Sequence, residues 1–342
     1  MTDGVQTGKQ MGLEEVEALA QRALVAAGAS DAAAQAVARS IRLAERDGIR
    51  SHGLLYLPIY AEHLRCGKVL GMAAPVVTRP KPGSIRVDAA HGFAHTAIDA
   101  GWGDFTAAAR QNGIAALSLH NSYNCGVLGH HAERLAEDGL VGLCFTHAPA
   151  SIAPMGGKLP VIGTNPFAIA VPDGAGGALL VIDQSASVVA KSEILLRARK
   201  GEPIEPNWAL DADGRPTTVA EEALLGSMLP AGGQKGFGLG LMVEILAAAL
   251  SGANLSREAS PFSGTAGGPP GTGQCFIALD PAGFSGAVFQ QSLHRLAGSI
   301  TDQPSARLPG ARRKANRAQI EAAGVFVDAA LLARIESILQ VN

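Results

Sequence analysis

The chain is short of charge, of aromatic rings and of paired cysteines, and each shortage excludes something. Charged residues make up 17% of the 342 positions, against about 25% in an average soluble protein. The 28 basic and 30 acidic side chains nearly cancel, at −2, which argues against a nucleic-acid backbone as the main partner. Aromatics stand at 4% beside 42 glycines, a mix that favours a loop-rich α/β enzyme over a β-sandwich. Four cysteines, Cys66, Cys125, Cys144 and Cys275, are scattered without a CxxC, so a reducing compartment is expected rather than a disulfide framework. The opening MTDGVQTGKQMG lacks an apolar core for secretion. The best candidate for a membrane span, Phe237 to Leu250, is interrupted by Glu244 and too short. A soluble, cytoplasmic protein is expected. With 47% hydrophobic residues, part of its surface is expected to be hidden in an oligomer.

Familiar chemical signatures are missing too. No GxGxxG occurs; Gly236-Phe237-Gly238-Leu239-Gly240 fails the spacing. Gly156-Gly157-Lys158 is followed by Leu159, so there is no Walker A sequence. GxSxG and HExxH are absent. The histidines His120, His130, His131 and His147 lack metal-ligand spacing, and no metal site is expected.

What is present begins with helices. Leu13, Val16, Leu19, Ala20, Ala23 and Leu24 recur at helical spacing, stopped by Gly28. A second helix starts at Ser30 or Asp31 and ends near Gly48, and a third closes at Gly67. Strands and helices then alternate: strands at Ile85–Val87, Ile114–Ser118, Val141–Thr146, Phe167–Val171, Leu179–Asp183 and Phe276–Leu279, with helices at Thr96–Gln111 and Val127–Glu137. Helices at Ser285–Thr301, Arg313–Ala323 and Asp328–Leu339 close the chain. This order reads as an α/β protein with a mixed sheet. Residues 1–75 and 285–342 are expected to form one helical domain around residues 76–284.

Four segments carry possible chemistry. Arg50-Ser51-His52-Gly53 presents an imidazole beside a hydroxyl in a glycine-closed loop, suited to proton transfer near neutral pH. A plain loop histidine at a helix start accounts for it as well. His120 to Gly126 lies between a strand and a helix, where free amides can hold an anion or simply form a capped turn. Pro154 to Lys158, with Gly163-Thr164-Asn165-Pro166, offers close backbone approach and side-chain donors, or a structural loop. Gly232-Gly233-Gln234-Lys235-Gly236 opens an apolar helix, and a lysine at that positive end suits a carboxylate or phosphate.

Taken in order, these segments resemble one family, the malate/L-lactate dehydrogenases that lack a Rossmann fold. Their relatives include ureidoglycolate and sulfolactate dehydrogenases and the Δ1-piperideine-2-carboxylate/Δ1-pyrroline-2-carboxylate reductases. The marks are Ser51-His52-Gly53, Gly163-Thr164-Asn165-Pro166, the strand ending in Asp183, Trp208-Ala209-Leu210-Asp211, the Gly232–Gly236 turn, and Arg307-Leu308-Pro309-Gly310-Ala311-Arg312-Arg313. The resemblance spans nearly the whole chain. It implies a homodimer that uses NADH or NADPH on a small-molecule acid.

The resemblance also implies site residues. Ser51 and His52 match a proton relay whose acid falls at Glu193, and Thr164 and Tyr56 fall at substrate-binding positions. Cofactor contacts fall at Asn124, Cys125, Gly126, Val127 and Leu128, then at Ile182, Asp183 and Gln184. Further contacts fall at Gly233, Gln234 and Lys235, and at Arg307, Pro309, Gly310, Arg312 and Arg313. Two positions depart from the family pattern: Tyr56 stands where an arginine is usual, and Asn124 where many members carry histidine. The expected reaction is hydride transfer to C2 of a cyclic 2-imino acid. The alternatives are an open-chain 2-oxo acid, or a binding protein that has lost the chemistry.

Overall fold

The computed structural model describes residues 7–340. Residues 1–6, part of the opening stretch read for a leader, lie outside the described residues. Strand β1 (Gly8–Met11) leads into α1 (Leu13–Ala26) and α2 (Asp31–Arg46). Helix α1 buries Val16, Leu19, Ala20, Ala23 and Leu24, the stripe its spacing predicts. Ser30 caps α2 by accepting from the Ala33 N–H at 3.3 Å. The Ser-His-Gly segment is more ordered than a loop: 3-10 turns at Arg50–His52 and Leu54–Tyr56 run directly into α3 (Leu57–Arg65).

Next come β2 (Val76–Lys81), β3 (Ser84–Asp88), α4 (Ala94–Asn112), β4 (Ile114–Ser122), α5 (Leu128–Glu137), β5 (Val141–Thr146), β6 (Phe167–Pro172) and β7 (Ala178–Gln184). An outlying unit follows, with α6 (Lys191–Lys200), β8 (Ala209–Leu210), α7 (Ala220–Leu225) and β9 (Ser227–Met228). Helix α8 (Gln234–Glu244) continues as a π-turn at Ile245–Ala249 before β10 (Thr272–Leu279). The chain closes with α9 (Ala287–Thr301), α10 (Ala311–Ala323), β11 (Val325–Asp328) and α11 (Ala329–Leu339).

The main sheet has seven strands in the order β2-β3-β4-β10-β5-β6-β7. Strands β3 and β4 run parallel and the other neighbours antiparallel. That mixed order differs from the parallel dinucleotide-binding sheet that a GxGxxG turn serves, so the missing fingerprint has a structural counterpart. Pro80 sits in the edge strand β2, where a missing N–H is tolerated. Helix α4 packs closely on this sheet: a Cβ at Gly101 would come within 2.8 Å of Leu117 and 2.9 Å of Val87.

One buried cluster joins the two ends of the chain, with Val16, Leu24, Val37 and Tyr60 packed against Val325, Val327, Ile335 and Ile338. Pairing of β1 with β11 ties them further. Helix α9 stands outside that cluster. It buries only Ala297 among its described side chains, and Gln290 donates to the Pro172 carbonyl at 3.2 Å. No helix among the described residues is long and apolar enough to cross a membrane.

Candidate active site

Ser51 and His52 are brought together as expected, with Ser51 Oγ 3.0 Å from His52 Nδ1. Their turn is held from beneath by a residue the sequence reading passed over. Glu45, buried at the end of α2, accepts the Leu54 N–H at 2.7 Å. It also packs so closely on Gly53 that any Cβ there would strike its carboxyl. Burial raises the pKa of Glu45, while the Leu54 N–H and the nearby Arg50 charge act against that rise. An acid on an otherwise alanine-rich buried face was the available sign.

His52 is exposed at the surface, with protein crowded round one side of its ring. This crowding lowers its pKa below the usual histidine value; the Asp183 charge opposes the shift and His130 adds to it. Asp183 is thus the carboxylate whose field reaches His52. Glu193 is not joined to the pair. Its carboxylate lies 3.0 Å from Arg197 Nε one turn further along α6, and no hydrogen bond or ion pair links it to Ser51 or His52. Glu193 and Arg197 satisfy each other locally as an i,i+4 pair, a contact the motif match did not anticipate.

Asp183 belongs to a second group of residues. Its carboxylate accepts the Gly129 N–H at the start of α5 (3.0 Å) and pairs with Arg313 at 3.1 Å. The approach requires glycine, since a Cβ at Gly129 would lie 2.6 Å from the Asp183 oxygen and 2.7 Å from Arg313. Behind this pair sits Asp47, whose side chain is fully buried. It takes His130 Nε2 at 3.0 Å and Arg317 Nε and Nη2 at 3.0 and 3.1 Å, and Arg317 reaches Glu133 at 2.9 Å. Burial alone would raise the Asp47 pKa; the His130 and Arg317 hydrogen bonds override it and hold the carboxyl well below the usual range.

The segment Arg307–Arg313 lies along β7. Pro309 accepts the Val181 N–H at 3.3 Å, and Gly310, at φ +87°, comes close to the same strand. Between this segment and Asp47–Ile49 opens a cleft of about 490 Å³ lined by Arg307, Pro309, Arg312 and Arg313. Its size falls within the range of small-molecule sites. Gly48 and Ile49 on its wall lead directly into Arg50-Ser51-His52. Arg313 Nη1 is buried without a hydrogen-bond partner. An orphaned guanidinium N–H, exposed arginines and the amide end of α5 are a donor set that fits the phosphates of a nicotinamide dinucleotide. Cys125, Val127 and Leu128 are themselves buried, and burial pushes the Cys125 thiol up to about 12. What that turn can offer a ligand is therefore backbone and Asn124.

Three further segments meet around Ala186. The Thr164 carbonyl accepts its N–H at 2.8 Å, and its own carbonyl accepts the Ala231 N–H at 2.8 Å. This seats the Thr-Asn-Pro turn and the Gly233–Lys235 turn beside the end of β7, where Ile182 and Gln184 lie. Asn165 adopts a left-handed φ of +38° and is fully buried. Its amide donates to the Gly240 carbonyl (3.0 Å) and Glu244 (2.8 Å), which fixes the backbone at Thr164. Gln234 and Lys235 point outward at the start of α8, and Lys235 makes no ion pair among the described residues.

Tyr56 stacks on His52, with rings 6.5 Å apart and 10° from parallel. Its oxygen lies 3.4 Å from Asn124 Nδ2, so the two departures from the family pattern are in contact.

A mixed sheet, a Ser-His pair, a cleft lined by arginines and a Thr-Asn-Pro turn pinned by buried Asn165 together define a dehydrogenase of non-Rossmann type. The chain belongs to the malate/L-lactate dehydrogenase family, whose model matches residues 11–336. It is 42% identical to the Δ1-pyrroline-2-carboxylate reductase of Ancylobacter novellus, over 96% of this chain and 97% of that one. It is 44% identical to the (2R)-3-sulfolactate dehydrogenase (NADP(+)) of Chromohalobacter salexigens, over 90% and 92%. Among solved structures, the Δ1-piperideine-2-carboxylate reductase of Pseudomonas syringae pv. tomato superposes with a TM-score of 0.91 at 34% identity, covering 96% of this chain and 99% of that one.

Proposed function

We propose that this protein reduces a small cyclic 2-imino acid, Δ1-pyrroline-2-carboxylate or Δ1-piperideine-2-carboxylate, with NADH or NADPH. The observation that carries the reading is the Ser51–His52 pair, 3.0 Å apart, which follows directly in the chain on Gly48 and Ile49 of the arginine-walled cleft. The named activities of the relatives from Ancylobacter and Pseudomonas support the choice of substrate. The cofactor, when bound, supplies hydride to C2. Arg307, Arg312 and the orphaned Arg313 Nη1 hold its phosphates, and this surplus of guanidinium favours the phosphate-richer NADPH. Thr164, on its rigid turn, holds the substrate carboxylate. His52 delivers the proton, and Ser51 orients its ring. Asp183 supports the charged imidazole, the part the motif match gave to Glu193. Positioned proton transfer of this kind is worth about 10²–10⁴-fold in rate.

An open-chain 2-oxo acid is the second reading, favoured by the 44% identity to a sulfolactate dehydrogenase. Absorbance loss at the nicotinamide band, with each cofactor against both cyclic imines, pyruvate and oxaloacetate, separates the two. Turnover of an imine at the highest kcat/KM is expected. Faster turnover of a 2-oxo acid overturns the first reading, and no turnover of any substrate overturns both. A homodimer in a reducing cytoplasm completes the proposal. Leu239, Leu241, Met242, Ile245 and Leu250 expose an apolar stretch along α8 and the π-turn after it that a second copy would cover, and all four cysteines are free.

A further inference from the structure

Thr164 sits between two residues that are tied to one buried acid. On one side, Asn165 Oδ1 accepts the Ala148 N–H at 3.2 Å. A backbone N–H only donates, so the amide cannot be turned over, and it is Asn165 Nδ2 that donates to Glu244 at 2.8 Å. On the other side, the Gly163 N–H donates to Ser256 Oγ at 3.1 Å. The Ser256 hydroxyl directs its own proton to Glu244 Oε2 at 2.5 Å, and the Ser256 N–H donates to Glu244 Oε1 at 2.7 Å. Glu244 thus accepts at three contacts. It reaches both neighbours of Thr164, Asn165 directly and Gly163 through one hydroxyl. The turn has no slack, since a Cβ at Gly163 would lie 2.2 Å from the Ala148 carbonyl oxygen and 2.8 Å from Asn165 Oδ1.

Packing alone does not account for an acid here. Glu244 is buried on α8 and makes no ion pair with lysine or arginine among the described residues. Burying a charged group without a counter-charge is costly. The left-handed Asn165 that Glu244 holds is unfavourable for any residue but glycine. Helix α8 also widens into its π-turn at the very next residue, an irregularity frequent at functional sites. Between these constraints, the Thr164 carbonyl is taken by the Ala186 N–H, while the hydroxyl of half-buried Thr164 has no hydrogen-bond partner among the described residues. We propose that Glu244 is the positioning residue of the substrate site: through Asn165 and Ser256 it fixes the Thr164 hydroxyl for the substrate carboxylate. This inference rests on the part of the proposed function that gives Thr164 that carboxylate. Cyclic imino acids and 2-oxo acids both carry the group, so the inference holds for either. The carboxylate is unchanged by the reaction, so its loss of support falls on KM and leaves kcat. The Gly233–Lys235 turn lies at the other end of the same helix, and general damage to α8 would reach cofactor binding too.

The test is a double-mutant cycle in the full-length protein: wild type, Glu244→Gln, Thr164→Val and the double variant. Each is assayed with Δ1-pyrroline-2-carboxylate and with 2-oxopentanoate at saturating cofactor. Glutamine has nearly the same shape, but its amide nitrogen faces a donor at whichever oxygen it replaces. Glu244→Gln is expected to raise KM about tenfold, with kcat within about twofold and cofactor affinity unchanged. Thr164→Val should raise KM by a similar factor. The double variant should be no more than about twofold worse than Thr164→Val alone, because the hydroxyl that Glu244 positions is already gone. Losses that multiply, or a fall in kcat or cofactor affinity alongside KM, give Glu244 a merely structural role and overturn the inference. So does an unchanged KM in Thr164→Val. Should Glu244→Gln not fold, Ser256→Ala takes its place in the cycle, with KM raised about threefold and the same failure to add to Thr164→Val. A wild type that turns over only the 2-oxo acid overturns the imine reading, and the cycle then decides the inference with that substrate. No turnover of either overturns both.

Discussion

Around His52 the supporting contacts are almost all between neutral groups. Tyr60 donates to Asn124 and Asn124 to Tyr56, Tyr123 meets His63, and Ser51 meets the imidazole. Around Asp47 they are ionic: His130, Arg313 and Arg317 gather on its buried carboxylate, and Arg317 also reaches that of Glu133. The neutral wall fixes directions, which matters for moving one proton. The ionic wall gathers guanidinium beside the arginine-lined cleft, and Asp47, Asp183 and Glu133 keep that positive charge in place. Damage to the first should therefore appear in rates, and damage to the second in stability.

His52→Ala breaks the comparison most severely on the rate side. Turnover is expected to fall about 10²–10⁴-fold while the melting temperature and cofactor binding stay near wild type. Steady-state kinetics with parallel thermal melts check this, and undiminished turnover removes His52 from the mechanism. Asp47→Ala strikes the other wall. It strands Arg317 and His130, and a loss of about 3–5 kcal/mol is expected in urea unfolding. The sign with pH follows from the depressed native pKa of Asp47. Its contribution is complete above the unfolded carboxyl value of about 3.9 and is lost as pH falls towards the native one, so variant and wild type should converge in acid. Glu193→Gln touches neither wall. With only a half-exposed pair to Arg197 at stake, stability should change by no more than about 0.5 kcal/mol and turnover by less than twofold. A large loss of turnover would return Glu193 to the relay.

The difference between the walls also explains what the sequence could disclose. Helix α1 and strands β5 and β6 follow from hydrophobic period alone, because their packing repeats along the chain. Ser51 and His52 are adjacent, so their contact is visible in the motif. The short β8 and β9 and the Pro-bearing edge strand β2 carry too few patterned residues to be seen. Asp47 meets Arg317 across 270 positions, and His63 meets Gly264 across 201, so neither pairing leaves a local trace. Glu193 is the opposite case. Its spacing in the motif suggested a relay, but an arginine four residues on takes its charge.

The central claim is that one imidazole of lowered pKa moves the proton. Its most direct test is an NMR titration of His52 in the wild-type protein, set beside the pH profile of kcat/KM for imine reduction. The account predicts a His52 midpoint below 6.5, and a reductive rate that declines through the same midpoint as pH rises and the ring loses its proton. A His52 midpoint at or above 6.5, or a reductive profile that ignores it, would contradict the account.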